Sequence, residues 1–299
     1  MEKKSQIDVF GAVALTGFAL LLAFNQVVIK VTNGGFQPIF FAGLRSLGAA
    51  VCVYAWMRYR GIPLGRNPRI AALGAALGCV FAFEFTCLFI ALDLTAVSRA
   101  SVIFYSMPLW LALMAHIWLP DDRLTPLKAM GLLCAFAGVA VAILTRPDGV
   151  GNIWGDLLAL GAAIGWALTA LLVKATDLRT VKPEVQLFWQ VAVSAPILLV
   201  LSLFTGDLIR DLQPIHLAGL AFQIIIVVSA GFIFWLWLLS IYPASGVASF
   251  SFLSPVLSVA LGWLLLDEAI TADLIVALIL VAAGIVLINR PVRSRRTSA

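Results

Sequence analysis

The sequence predicts an all-α polytopic membrane protein: ten transmembrane helices, arranged as two inverted five-helix repeats, with the N- and C-termini cytoplasmic. Three observations carry this reading: apolar runs of helix length from end to end, a one-sided distribution of Lys and Arg, and an internal repeat. Of the 299 residues, 62% are hydrophobic and only 12% charged, and the mean hydropathy is +1.05. Soluble domains carry about 25% charged residues. A helix crosses a hydrocarbon core about 30 Å thick with roughly 20 apolar residues, and such runs recur along the chain without the two-residue alternation of a membrane β-barrel.

The spans fall at 9–30, 37–59, 69–92, 97–119, 126–145, 153–175, 182–205, 215–240, 244–266 and 270–290. The first, Val9 to Lys30, follows the positive start MEKKSQID. It is too long for the apolar core of a signal peptide and lacks a small-residue cleavage site, so it reads as a span. With the N-terminus inside, the inner loops and tails collect Lys3, Lys4, Arg58, Arg60, Arg66, Arg69 and most of the remaining Lys and Arg. The outer side keeps Lys30, Arg99, Arg146 and Arg210. That bias places both termini in the cytoplasm. It also accounts for the net charge of +5 without a nucleic-acid partner; the expected surroundings are lipid bilayer. Cys52, Cys79, Cys87 and Cys134 all lie in apolar runs and read as packing thiols. His116 and His216 stand alone, so no metal site is expected, and no cofactor is called for.

The chain repeats itself. VFGAVALTGFALLLAFNQVVIK (Val9 to Lys30) lies over IWGDLLALGAAIGWALTALLVK (Ile153 to Lys174), matching Gly11 to Gly155 and Lys30 to Lys174. AVSRASVIFYSMP returns as PASGVASFSFLSP, pairing Ser98 with Ser245 and Pro108 with Pro255. Asp121-Asp122 answers Asp267-Glu268, and FAGVAVAIL answers AAGIVLI. The repeats divide the chain at 1–147 and 148–299. Five spans per repeat turn the second upside down relative to the first, an architecture of secondary transporters with a substrate site near midplane.

Two halves, each ending in a proline, about a dozen apolar residues, an acidic pair and an AG(V/I) motif, resemble the EamA family of the drug/metabolite transporter superfamily. The specific parts are Pro108 with Asp121-Asp122 and Gly138, then Pro255 with Asp267-Glu268 and Gly284, together with Arg45 in FAGLRSLGAA. The stretch from FEF through ALDLTAVSRASVIFYSMP is most similar to the YddG-type exporters of aromatic and other amino acids. The resemblance implies multi-pass insertion in the inner membrane of a Gram-negative bacterium and export of amino acids. Arg123 departs from the family pattern, at a loop position.

Within the spans, Glu84 and Arg45 are the charges far from the ends, and a charge at bilayer centre costs about 2.5–3.5 kcal/mol on insertion scales. Both lie roughly 5 Å outward of midplane by residue count. Two readings stand: the pair pins two helices, or Glu84 faces the ammonium and Arg45 the carboxylate of a zwitterion. Extending the repeat offset sets Glu84 against Gly231, so that a charge answers a missing side chain. Phe83, Tyr105 and Trp166 are candidates for an apolar pocket at similar depth, against core packing, and Asn25, paired by the repeat with Thr169, adds a hydrogen-bonding group. Pro108 and Pro255 are candidate hinges, each removing a hydrogen bond from a carbonyl four residues earlier, on Phe104 and Ser251. Asp121-Asp122 and Asp267-Glu268 read as caps or loop anchors.

An enzyme is not expected, since no GxSG, HExxH or intramembrane aspartyl pair is present. Phosphorylated solutes demand several deep Lys or Arg. The alternative to amino acids is export of cationic drugs or other small metabolites through the same pocket. The oligomeric state is open, a monomer being compatible with the sequence.

Overall fold

The computed structural model describes residues 7–119, 125–145, 152–242, 250 and 252–289. Lys3, Lys4, Asp121, Asp122, Arg123, Arg146, Ser245, Ser251 and the stretch from Arg290 onward lie outside the described residues. The described chain is helical throughout: α1 (Val9–Thr32), α2 (Pro38–Tyr59), α3 (Pro68–Leu94), α4 (Val97–Phe104), α5 (Met107–Trp118), α6 (Pro126–Leu144), α7 (Ile153–Ala175), α8 (Pro183–Ser202), α9 (Pro214–Phe222), α10 (Phe232–Ile241), α11 (Leu253–Leu266) and α12 (Ala272–Asn289). A π-helical stretch, Gln223–Gly231, joins α9 to α10, and a 3₁₀ turn, Asp177–Thr180, precedes α8. Among the described residues, eight helices are long and apolar enough to cross a membrane, and two shorter apolar ones come after them.

The boundaries have local causes. Pro38, Pro68, Pro126, Pro183 and Pro214 each open a helix, where a missing N–H costs nothing and a fixed φ is already helical. Side-chain caps precede several of them. Gln37 accepts from Phe40 N, Asn67 from Arg69 N and Thr125 from Lys128 N, so that free amides of the first turn are satisfied.

Two expected spans differ, 97–119 and 244–266. Positions 97–119 form two helices, α4 and α5, broken at Tyr105-Ser106, and Pro108 lies in the first turn of α5. Pro255 likewise lies in the first turn of α11, after a turn at Phe252. Neither is the mid-helix kink expected from the sequence. In the first turn a proline removes no helical hydrogen bond, and the break precedes it. Ser106 stabilises the first break by donating to Ile103 O at 2.6 Å and accepting from Trp110 Nε1 at 3.1 Å.

Packing couples the two halves. α3 lies along α7, α2 along α8, α6 along α12 and α1 along α11. The repeated AG motifs serve one of these interfaces. A Cβ on Gly138 would meet Ala277 O at 2.8 Å, and one on Gly284 would meet Ala135, so the missing side chains let α6 and α12 approach closely. Phe41, Phe89, Leu92, Val97 and Ile103 fill the core with almost no exposure.

A buried ion pair locks the end where α6 finishes. Arg99 of α4 donates to Asp156 of α7 at 2.8 Å, with side chains 4% and 0% exposed, and also to Thr145 O at 3.3 Å and to Ala142 O. Thr95 Oγ1 donates to the other Asp156 oxygen at 3.1 Å. Arg99, placed by its sequence among outer loop charges, is thus an internal tie. Removing one member leaves an uncompensated buried charge, at a cost of about 3–5 kcal/mol. Asp156→Ala is expected to lower the thermal unfolding midpoint in detergent strongly, while the double change Arg99→Met with Asp156→Leu recovers much of the loss. A double variant no more stable than the single would contradict this account.

Candidate functional site

The interior of the bundle contains a connected set of polar and aromatic side chains contributed by both halves. Arg45 lies two turns into α2, about 10 Å from that helix's start, and Glu84 lies about 15 Å from the end of α3. Both are buried, at 2% and 3% exposure. They sense each other's charge, yet among the described residues Arg45 forms no ion pair. Its guanidinium instead lies flat over aromatic rings, with Cζ 3.8 Å from the Phe85 centroid and 5.1 Å from that of Phe89, an arrangement that stabilises a cation by the ring quadrupole. Arg45 Nε and Nη2 are buried without a hydrogen-bond partner. Of the two sequence readings, a direct pin between the helices is therefore not what forms.

Glu84 faces the second half. Thr169 Oγ1 of α7 donates to Glu84 Oε2 at 3.4 Å. The side-chain-free partner is Gly165 rather than Gly231: a Cβ on Gly165 would come within 3.1 Å of Glu84 Cα, whereas one on Gly231 would meet Ile226 O and Leu21. Gly231 faces Leu21 and Phe18 of α1 instead.

The aromatic candidates divide. Trp166, on the face of α7 that carries Thr169 one turn later, stacks on Phe104 with centroids 5.0 Å apart and planes at 18°. Tyr105 meets the same indole edge-on at 6.2 Å. Its hydroxyl accepts from Gln26 Nε2 at 3.5 Å and donates to Leu22 O at 3.1 Å. Phe83 is 53% exposed and sits one position before Glu84, about 100° round the helix, on the side of α3 that meets Gly161 and Gly165 of α7. Phe85, beneath Arg45, is the ring that faces inward. Asn25 is buried and accepts from Gln223 Nε2, which ties α1 to the π-helical stretch.

Two interior residues were overlooked in the sequence, Gln26 and Gln223, each almost fully buried with an unpartnered Oε1. The adjacent amides of FNQVV and the lone amide of AFQIII were the available signals. Among the described residues no group of His, Cys, Asp and Glu could hold a metal ion.

This arrangement offers a cation at one point, a carboxylate at another and stacked rings beside them. Comparison with known proteins identifies the family. The model of the EamA-like transporter family matches twice, over residues 9–144 and 153–290. The uncharacterized transporter YvbV of Bacillus subtilis (strain 168) is 28% identical over 95% of both chains. A probable amino-acid metabolite efflux pump of Escherichia coli (strain K12) is 26% identical over 87% of this chain and 88% of its own. The aromatic amino acid exporter YddG of Ancylobacter novellus is 28% identical over 52% of this chain and 55% of its own. With both of its halves matched by the family model, the chain belongs to the EamA-like transporter family.

Proposed function

We propose that the protein is a bacterial inner-membrane secondary transporter that exports amino acids, aromatic ones among them, by alternating access at a site between the two repeats. The observation that carries this reading is the Arg45 guanidinium, fully buried with Nε and Nη2 unpartnered and near, but not bonded to, Glu84. A buried donor without an acceptor costs about 1–3 kcal/mol, more when charged. An α-carboxylate supplies the acceptor for Arg45, and an α-ammonium answers Glu84. A purely cationic solute leaves Arg45 unanswered, which disfavours cationic drugs. The stacked Phe104 and Trp166 with Tyr105 beside them suit an aromatic or aliphatic side chain. Amino-acid export by relatives points the same way.

Inversion of the repeats, taken as residues 1–147 and 148–299, is part of the proposal. The segments after the first and third helices of the first half, near residues 33–37 and 93–98, are bonded to those after the second and fourth helices of the second half. Gln37 N donates to Leu208 O, and Val97 N to Glu268 Oε1. Loops of unlike parity share one end of the bundle when the halves run in opposite directions. The Lys and Arg distribution supports an external position for that end and cytoplasmic termini. Pro108 and Pro255, each just past a break, are the proposed bending points.

Proteoliposomes loaded with labelled amino acids are expected to show saturable flux, competed by other amino acids and by aromatic ones in particular; absence of saturable flux for any amino acid removes the proposal. Glu84→Gln is expected to lower transport efficiency by about 10- to 100-fold, the range for a charged hydrogen bond, with expression unchanged. Wild-type flux in that variant would return Glu84 to a structural role. Trp166→Ala is expected to depress flux of aromatic substrates by about 3- to 10-fold more than that of small ones, the worth of a ring contact. Equal loss for both would mark simple packing damage.

A further inference from the structure

At the end of the bundle that holds residues 30–37, 93–98, 203–213 and 267–271, charged side chains lace the halves together, and the bonds converge on the corner between α3 and α4. Asp93 receives Arg210, from the segment after α8, in a two-pronged contact of 2.8 and 3.0 Å. Arg210 also donates from Nη1 to Asn33 O and from its backbone to Gly35 O, both at 3.0 Å. Lys30, in the last turn of α1, donates to Asp93 O at 3.2 Å and to Thr95 O at 3.0 Å. A few residues on, Glu268 from the α11–α12 connection accepts Val97 N at 2.6 Å and Ser98 N at 2.8 Å. It thereby caps the first turn of α4 across a sequence separation of about 170 residues.

These ties differ in kind from the Arg99–Asp156 pair beneath them. The side chains of Arg210 and Asp93 are 39% and 23% exposed, so water can replace each partner when the contact opens, and such pairs are weak. The buried pair has no such replacement. The helix they hold is short and buried along its whole length against α1, α3, α6, α7, α11 and α12. α4 has eight residues and is interrupted at Tyr105-Ser106, so its backbone is not continuous with the helix of α5. Its far end bears Phe104 and Tyr105, which touch Trp166 of the site. At 1.5 Å per residue, about 12 Å of rigid helix joins the two ends.

We propose that α4 with its Asp93–Ser98 corner is the outer gate of the transporter, an arm latched shut by Arg210 and Glu268 of the second half and moved, at its other end, by the solute-contacting aromatics. The inference rests on the transport reading above but not on the identity of the solute. A solute that displaces Phe104 or Tyr105 shifts the arm, the exposed latch gives way first, and Arg99–Asp156 serves as the pivot.

The test uses full-length protein in which Cys52, Cys79, Cys87 and Cys134 are replaced by Ser, with Ser101→Cys as reporter in the middle of buried α4. In right-side-out and inverted vesicles, a membrane-impermeant thiol reagent is expected to label the reporter from outside at least fivefold faster when Asp93→Asn and Glu268→Gln are combined. The labelling requires no transported solute, so it is independent of whether amino-acid flux is found. Equal rates in a monodisperse variant, or acceleration only from the cytoplasmic side, overturns the proposal. Separately, Asp93→Cys with Arg210→Cys, bridged by a short reducible thiol cross-linker, is expected to stop flux of any transported solute and to recover it on reduction. Undiminished flux in the bridged protein shows that the corner need not move, and overturns the proposal even where the first variant misfolds.

Discussion

A guanidinium at bilayer depth with no carboxylate in bonding range is the constraint on which the rest of the site depends. Hydrocarbon offers no water to answer Arg45, so the protein must hold it by other means. It does so by laying the charge over Phe85 and Phe89 and by keeping Glu84 near without contact. Glu84 is met in turn by Thr169 from the opposite half, so the two halves share the contacts of this carboxylate.

The polar ties between the halves fall into two grades. The Arg99–Asp156 pair is dry, multiply bonded and surrounded by helix ends, and the close approach of α6 and α12 through Gly138 and Gly284 is equally unyielding. The bonds of Arg210 and Glu268 are partly wet and attach a short interrupted helix. Dry and partly wet contacts thus stand side by side at this end of the bundle, and they differ in the burial of their charged groups rather than in the number of hydrogen bonds.

Much of the fold was legible because lipid simplifies the code. Long apolar runs gave most of the helices, with ends within a few residues of those observed, while the ninth span, expected from 244, has its described helix beginning at Leu253. The break at Tyr105-Ser106 escaped because YSMP reads equally as a kinked helix or as a new one; Ser106, bonding back to Ile103 O, decided it. At the site, Glu84 and Arg45 stood out as deep charges, and Trp166 and Tyr105 as deep aromatics. Depth alone did not separate Phe83 from Phe85, which stand on different faces of α3 because neighbours on a helix point about 100° apart. Arg99 and Asp156 were hidden by lying near span ends, where charge is expected to meet water. Their burial comes from the packing of α4 against α7, which no single span reveals.

The π-helical stretch Gln223–Gly231 has a consequence for the relation between the halves. Bonds from i to i+5, echoed by Ser229 Oγ donating to Ile224 O at 2.7 Å, fit an extra residue into a helix of given length. Each residue so added rotates the next turns by about 100° relative to an α-helix. The third helix of the second half thus presents a different stripe from its counterpart α3, with Gln223 turned in and Gly231 turned against α1. The third helix of each half therefore turns a different polar side chain into the bundle, Glu84 from α3 and Gln223 from the π-helical stretch.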